Sequence, residues 1–190
     1  MMKIALVGNI ASGKSTVEKT LQELNFSVLD TDFVAHALLE NNAEIMEAFK
    51  DYDILTEGKI SREKLGKIVF SDETLKQKLE AILHPQIRAK IQEYFSSHSN
   101  EKLVFVSIPL LFEAKMEDLF DRVLFVYTND DIRLQRLMKR NNYTEEYAIV
   151  RMNSQISQDE KVKLADWVIY NNSTVEDLRK MVVSVIEQIH

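Results

Sequence analysis

The sequence predicts a three-layer α/β fold, in which helices cover both faces of a five-stranded parallel sheet. Five short apolar runs alternate with helical patterns along the chain, which is typical of a parallel sheet that is buried on both faces. A glycine-containing loop joins the first run to a helix, and two long helical stretches interrupt the alternation. These observations together predict one core domain with two helical insertions.

The first apolar run, residues 4–7, is a predicted strand, and the helix after it places Val17, Leu21 and Leu24 on one face. The sequence between them fits the phosphate-binding pattern G-x-x-x-x-G-K-[ST] at every fixed position. It consists of Gly8, Asn9, Ile10, Ala11, Ser12, Gly13, Lys14, Ser15 and Thr16. Because backbone N–H groups and the helix dipole favour an anion at such a junction, we predict a P-loop NTPase-type fold that binds a nucleoside triphosphate.

Several side chains of this loop have a predicted task. Lys14 is expected to reach the β- and γ-phosphates, and the Ser15 hydroxyl is expected to bind Mg²⁺. The two glycines of the pattern permit a close approach that a Cβ atom would obstruct. Ser12 and Thr16 are candidates for side-chain bonds to the ligand, although either residue could instead cap the helix.

The second run, residues 26–29, precedes Asp30, Thr31 and Asp32 at the sheet edge where ligands bind in open α/β folds. An acid at this edge could orient a hydroxyl group, accept its proton or hold metal-bound waters. The alternative is that one of these acids caps the following helix, and Asp32 stands where such a cap is expected.

Residues 33–99 form a predicted helical insertion without a convincing strand, because the stretch is too long for a simple crossover. Pro85 is predicted to start a helix within it. His84 draws attention because the proline after it restricts its backbone. No role is predicted for the remaining histidines, His36, His98 and His190.

The third and fourth runs, residues 103–106 and 123–127, are separated by a segment that contains Ser107 and Glu113. Many triphosphate enzymes place a magnesium-holding Asp where this third strand ends, but the chain has Ser107 there. Glu113 either points at the site or only bonds a nearby backbone amide.

Residues 132–163 form the second helical insertion, which is rich in Arg, Lys, Asn and Gln and has no clear apolar stripe. A mobile lid has this character. On a helix, Arg136 and Arg140 share a face, as do Arg133 and Arg136. Such a face could clamp transferring phosphates, or it could simply be solvated.

A fifth run at residues 167–170 and a helical pattern from 174 to 189 complete the sheet and its covering layer. The sequence therefore divides into three predicted domains. They are a nucleotide-binding core (1–32, 100–131 and 164–190), a helical insertion (33–99) and a lid (132–163).

Composition narrows the classes of function. A net charge of −6 without a long basic run disfavours a nucleic-acid partner, and no apolar run approaches the length of a membrane span. The absence of cysteine excludes disulfides and thiolate metal sites and agrees with a reducing cytoplasm. The first strand begins too early to leave room for a signal peptide, so we predict a cytoplasmic protein without membrane contact or an obligatory protein partner.

Together these residues resemble one family, the dephospho-coenzyme A kinases, over nearly the whole chain. Several elements besides the phosphate loop carry the resemblance through their order and spacing. They are Asp30-Thr31-Asp32, Arg62 to Leu65, His84-Pro85, Pro109 to Glu113, Arg133 to Arg140 and Ala165 to Asn172. The chain departs from the family pattern at Asn9 and Ala11, where glycine is usual, at Ser107, where many members have an acid, and at Tyr170, where Asp is common.

The resemblance implies the last step of coenzyme A synthesis, in which ATP phosphorylates the ribose 3′-hydroxyl of dephospho-coenzyme A. ATP and Mg²⁺ are the implied cofactors. The implied catalytic groups are Lys14, Asp32, Arg136 and Arg140. The resemblance also implies that the helical insertion 33–99 is acceptor-binding. The implied acceptor-binding residues are Asp32, Arg62, His84, Leu110 and Glu113, and Asn171 with Asn172 would lie by the adenine of ATP.

Two other functions stay open on sequence alone. A different small-molecule kinase would share the loop and the lid. A regulatory guanine-nucleotide switch would be expected to show Asn-Lys-x-Asp and Asp-x-x-Gly, and the sequence contains neither pattern.

Overall fold

The structure, a computed structural model, describes residues 1–189, and His190 lies outside the described residues. The strands within this range are β1 (Met2–Gly8), β2 (Val28–Asp30), β3 (Leu55–Thr56), β4 (Lys59–Ile60), β5 (Leu103–Ser107), β6 (Arg122–Tyr127) and β7 (Trp167–Tyr170). The helices are α1 (Lys14–Glu23), α2 (Thr31–Glu40), α3 (Ala43–Ala48), α4 (Arg62–Ser71), α5 (Glu73–Ser97), α6 (Asp130–Asn141), α7 (Glu145–Asn153), α8 (Gln158–Leu164) and α9 (Val175–Ile189).

The main sheet has five strands in the order β2-β5-β1-β6-β7. Strand β1 pairs in parallel with both β5 and β6, and β6 pairs in parallel with β7. The register places Leu6 opposite Ser107 and Gly8 opposite Val126. The five predicted strands and the predicted α/β class are therefore confirmed, and the carboxyl ends of β1 and β5 meet at one edge of the sheet.

The core of this sheet explains the apolar pattern of the helices that cover it. Val17 and Leu21 of α1 are fully buried against the sheet, and α9 buries Leu178 and Val182 in the same cluster. Leu24, predicted on the same face, follows the last residue of α1 and is 37% exposed. Because α1 ends at Glu23, Leu24 does not continue the buried face of the helix.

The chain divides into two compact units. The first contains Met1–Leu29 and the residues from Phe95 onward, and the second contains Asp30–Tyr94. The second unit has its own core of Ile45, Phe49, Ile54, Ile60, Leu65 and Leu83. Residues 132–163 belong to the first unit, and their movement as a lid stays a prediction.

Two features of the second unit differ from the sequence prediction. A short antiparallel ribbon pairs β3 with β4, in a stretch where no strand was expected. Its two-residue turn uses positive φ at Glu57 and Gly58, and strands of two residues are too short to show an alternating pattern.

Helix α5 runs through Pro85 instead of starting there. A proline removes one helical hydrogen bond, but Leu83 and Ile91 bury the helix on both sides of it. Among the helices of residues 1–189, the 25-residue α5 included, none is both long and apolar enough to span a membrane.

Candidate active site

The loop between β1 and α1 depends on glycine at its last position. Gly13 adopts φ 91° directly before α1, in the left-handed region that side chains disfavour. A Cβ atom there would also overlap the side-chain amide of Asn171. Both the backbone conformation and the space therefore require glycine at this position.

The N-terminus of α1 has no side-chain cap. In contrast, Asp30 caps α2, Ser61 caps α4 and Thr144 caps α7. Thr16 N–H donates to the Gly13 carbonyl at 2.9 Å, so the N–H groups of Lys14 and Ser15 are the ones that the start of α1 offers to an anion. The alternative that Ser12 only caps this helix is wrong.

Side chains from outside the loop hold its carbonyl groups. The Ser12 carbonyl accepts hydrogen bonds from Thr128 Oγ1 at 2.8 Å and from Asn171 Nδ2 at 2.8 Å. The Ile10 carbonyl accepts one from Arg133 Nε at 3.0 Å. Because these bonds restrain the carbonyls, they limit the conformations of the loop, which would lower the entropy cost of binding a ligand.

Two buried polar atoms of the loop have no hydrogen-bond partner among residues 1–189. They are Ser12 Oγ and Asn9 Oδ1, in side chains that are 1% and 3% exposed. A buried hydroxyl without a partner costs stability, so a ligand that accepts its bond is favoured. Together with the uncapped start of α1, Ser12 Oγ fits a bound polyphosphate.

Ala11 adopts φ 63°, which places a non-glycine residue in the left-handed region. This conformation costs about 1–2 kcal/mol for a residue with a Cβ atom. The loop therefore takes its shape despite the departure from glycine, and the bonds to the Ile10 and Ser12 carbonyls help to hold it.

The segment before α8 supports the loop from the other side. Ile10 N–H donates to Gln155 Oε1 at 2.8 Å, and Asn9 Nδ2 donates to the Ile156 carbonyl at 2.9 Å. Ile156 N–H in turn donates to Glu113 Oε1 at 3.0 Å. Glu113 thus bonds a backbone amide. This contact was one of the two alternatives that the sequence left open for Glu113, the other being that it points at the site.

Glu113 also forms a 2.7 Å ion pair with Lys161, whose side chain is fully buried. Burial lowers the pKa of the Lys161 ammonium, and the hydrogen bond that Lys161 donates to Glu113 opposes that shift. The pair ties α8 to the turn after β5. Its effect is to hold the segment that supports the phosphate loop.

We expect Lys161→Met to lower the free energy of unfolding by about 3 kcal/mol, because it leaves Glu113 without its counter-charge. Denaturant unfolding followed by circular dichroism measures this loss. The exposed Lys163→Met is the matched control and should stay within about 0.5 kcal/mol of the parent. Equal stability of the two variants would contradict a structural role for the pair.

Lys14 lies at the start of α1 with its ammonium engaged. Its Nζ is 2.6 Å from Glu18 Oε1 and also donates to Ser107 Oγ. The Lys14 and Glu18 side chains are only 13% and 14% exposed. Lys14 therefore bonds two groups beside the loop, the Glu18 carboxylate and the Ser107 hydroxyl.

Helix α6 brings two of its arginines to the loop. Arg133 is 3% exposed and also pairs with Asp130 at 2.7 Å. Burial lowers the pKa of its guanidinium, and the Asp130 carboxylate opposes that shift. Arg136 is half-buried, and its Nη2 donates to the Asn171 carbonyl at 3.4 Å. Arg140 is exposed and donates to its neighbour in the chain.

The structure places the other predicted site residues as follows. Ser15 is exposed on the first turn of α1, and Leu110 is exposed three residues after the end of β5. Asn172 Oδ1 accepts a hydrogen bond from Asn129 N–H at 2.8 Å, which fixes the turn after β7. Thr16 lies within α1, where its carbonyl accepts a bond from Thr20 Oγ1 at 2.8 Å.

In the second unit, Asp30 and not Asp32 caps α2. Asp30 Oδ1 accepts from Asp32 N–H at 2.9 Å, and Asp32 is exposed in the first helical turn. Arg62 is exposed, with its Nη1 3.2 Å from His36 Nδ1. His84 is half-buried within α5.

Sequence reasoning missed Glu18, Thr128 and Gln158. The side-chain amide of Gln158 forms two hydrogen bonds with the backbone of Thr128. It donates to the Thr128 carbonyl at 2.8 Å and accepts from the Thr128 N–H at 3.2 Å. No local pattern marks these two residues, because they lie 30 positions apart. Glu18 could have been found, since residues four apart on a helix are neighbours.

A metal ion would have to use few protein ligands here. Within residues 1–189 there is no group of three or more His, Cys, Asp or Glu side chains that could hold one. The oxygen donors beside the loop are the Ser15 and Ser107 hydroxyls and the Glu18 carboxylate. This set fits Mg²⁺, which keeps several waters and binds one or two protein groups together with phosphates.

Comparison with known proteins gives consistent matches. A family model described as dephospho-CoA kinase matches residues 2–177. A dephospho-CoA kinase from Listeria monocytogenes is 41% identical, over 97% of this chain and 96% of the relative.

Two solved structures are similar along the whole chain. One from Thermus thermophilus has a TM-score of 0.87 and 34% identity, over 100% of this chain and 98% of that chain. A dephospho-CoA kinase from Campylobacter jejuni has a TM-score of 0.77 and 36% identity, over 98% and 96% of the two chains.

Proposed function

Since this chain belongs to the dephospho-CoA kinase family and phosphorylates dephospho-CoA with ATP in the last step of coenzyme A synthesis, we propose that residues 8–16 bind the phosphates of ATP. The observation that supports this most is the uncapped start of α1 beside the buried Ser12 Oγ. Backbone N–H groups and this hydroxyl would donate to the phosphate oxygens.

The reaction requires the protein mainly to position the reacting groups and to neutralise negative charge. The γ-phosphoryl group passes through a loose transition state, with negative charge spread over its oxygens. Lys14 would leave Glu18 and Ser107 and donate to the β- and γ-phosphates. Arg136 and Arg140, on one face of α6, would neutralise charge on the transferring group.

Mg²⁺ would be held by the Ser15 hydroxyl and would neutralise charge on the β- and γ-phosphates. The exposure of Ser15 on the first turn of α1 supports this assignment. Asn171 and Asn172 are proposed to lie by the adenine, and their place in the turn after β7 suits that role.

The acceptor is proposed to be the ribose 3′-hydroxyl. Its oxygen forms a bond to the γ-phosphorus, the bond from that phosphorus to the bridging oxygen of ATP breaks, and ADP leaves. Asp32 would orient the hydroxyl and take its proton. Arg62, His84, Leu110 and Glu113 are proposed to bind the acceptor, as the family resemblance implies, and the exposure of Arg62 and Leu110 is compatible with that role.

A cytoplasmic location is also proposed, and the absence of cysteine supports it. The function itself is tested by mixing the protein with ATP, Mg²⁺ and dephospho-CoA and detecting coenzyme A by mass spectrometry. Good turnover of another small alcohol, with none of dephospho-CoA, would contradict the proposed acceptor.

We expect Lys14→Ala to lower kcat by about 10²–10³-fold, because it removes one preorganised positive donor from the transferring phosphate. Steady-state coenzyme A formation measures the effect, and thermal unfolding checks that the fold survives. Lys19→Ala is the matched control, since Lys19 lies on the same helix and is 71% exposed. Near-normal turnover of Lys14→Ala would contradict the catalytic role proposed for the loop.

A further inference from the structure

Strand β5 ends in a hydroxyl where many triphosphate enzymes have a metal-holding acid. Ser107 is fully buried, and it lies opposite Leu6, two residues before the phosphate loop begins. A serine cannot supply the negative charge of an aspartate at this point. The carboxylate that holds the hydration shell of Mg²⁺ in such sites is therefore missing from the strand.

The structure places another carboxylate beside Ser107. Ser107 Oγ donates a hydrogen bond to Glu18 Oε1, and Lys14 Nζ lies 2.6 Å from the same oxygen. Glu18 follows Ser15 by three positions on α1, so the two side chains are neighbours on one helical face. The carboxylate of Glu18 thus lies within hydrogen-bond reach of the strand end.

This ion pair differs from the other pairs that stand four residues apart on helices. Side chains in four such pairs are 36–78% exposed, and these pairs are Lys19–Glu23, Lys67–Glu63, Lys76–Glu80 and Lys180–Glu176. Lys14 and Glu18 are 13% and 14% exposed, and a buried strand-end hydroxyl joins them. Desolvation makes such a carboxylate costly, which points to a role beyond helix stability.

We propose that Glu18, oriented by Ser107, replaces the strand-end acid and holds the water molecules around the Mg²⁺ that accompanies ATP. The proposal rests on the proposed function of the loop. In the structure, Glu18 pairs with Lys14. With nucleotide, Lys14 turns to the phosphates, and Glu18 accepts hydrogen bonds from the hydration shell next to Ser15. Glu18 is thus a positioning residue and forms no bond to the reacting atoms.

The test compares metal binding in the wild-type protein and in Glu18→Gln. Mn²⁺ serves as the spectroscopic probe, and its binding to the protein–ATP complex is followed by electron paramagnetic resonance. We expect Glu18→Gln to weaken Mn²⁺ affinity by about 10–100-fold, because groups that support a metal site have effects of this size. ATP affinity measured by calorimetry without metal should stay equal or rise. Glu23→Gln, on the same helix, is the matched control and should change neither affinity.

A second variant moves the carboxylate back to the strand. Ser107→Asp in the Glu18→Gln background should restore Mn²⁺ affinity to within about threefold of the wild-type value. Unchanged Mn²⁺ affinity in Glu18→Gln would overturn the proposal, as would an effect confined to ATP binding without metal. Coenzyme A formation by the wild-type protein is scored separately, so failure of the proposed acceptor leaves the metal test interpretable.

Discussion

Replacing Arg136 by alanine is expected to lower kcat by about 10³–10⁵-fold, because an arginine that stabilises the transferring phosphoryl group has an effect of this size. Arg136 is already beside the loop in the structure. Its Nη1 would lie 3.8 Å from a Cβ atom at Gly13, and its Nη2 donates to the Asn171 carbonyl. The guanidinium therefore lies beside the loop that is proposed to bind the phosphates of ATP.

Coenzyme A formation at saturating substrates measures the loss. Lys139→Ala is the matched control, since Lys139 is exposed on the same helix and should leave kcat within about twofold. Arg140→Ala should also reduce turnover, because Arg140 lies one helical turn from Arg136. A loss confined to KM for ATP, with kcat unchanged, would show that Arg136 binds the ground state and the transition state equally, which would contradict a role specific to the transferring group.

The sequence predicted those parts of the fold that local patterns encode. Five apolar runs marked the strands, because a parallel sheet buried on both faces needs continuous apolar residues. Gly13 and Lys14 were found because the phosphate loop sets their spacing within a few residues. Within residues 1–189 both kinds of signal correspond to observed elements.

The rest depends on contacts between distant parts of the chain. Gln155 bonds Ile10 across 145 positions, and Asn171 bonds Ser12 across 159. Neither contact leaves a local pattern. The four arginines and lysines of α6 looked equivalent in sequence, but packing buries Arg133 and exposes Arg140. The continuation of α5 through Pro85 likewise depends on burial, which overrides a local signal.

The pair Asp30 and Asp32 shows how structure separates two similar candidates. Sequence position favoured Asp32 as the helix cap, but Asp30 performs that task. The carboxylate of Asp30 is therefore used to start α2. Asp32 does not cap the helix, and its proposed role with the acceptor hydroxyl follows from the family resemblance.

Asp32→Asn is accordingly expected to lower kcat by about 10²–10⁴-fold, the usual contribution of a general base. The amide keeps the shape of the side chain but accepts protons poorly, so binding and chemistry can be separated. The affinity for ATP, measured by calorimetry, should change little. Loss of a negative charge in the first turn of α2 should cost only about 0.3–1 kcal/mol of stability.

Asp30→Asn is the matched control, because asparagine caps helices about as well as aspartate. It should preserve both stability and turnover, which distinguishes the proton-accepting role from a general need for negative charge at this strand end. An equal loss of ATP affinity and turnover in Asp32→Asn would instead assign Asp32 to metal binding or structure. A preserved kcat in Asp32→Asn would mean that the acceptor hydroxyl loses its proton without this carboxylate, which a loose transition state allows, since the attacking oxygen then needs little activation.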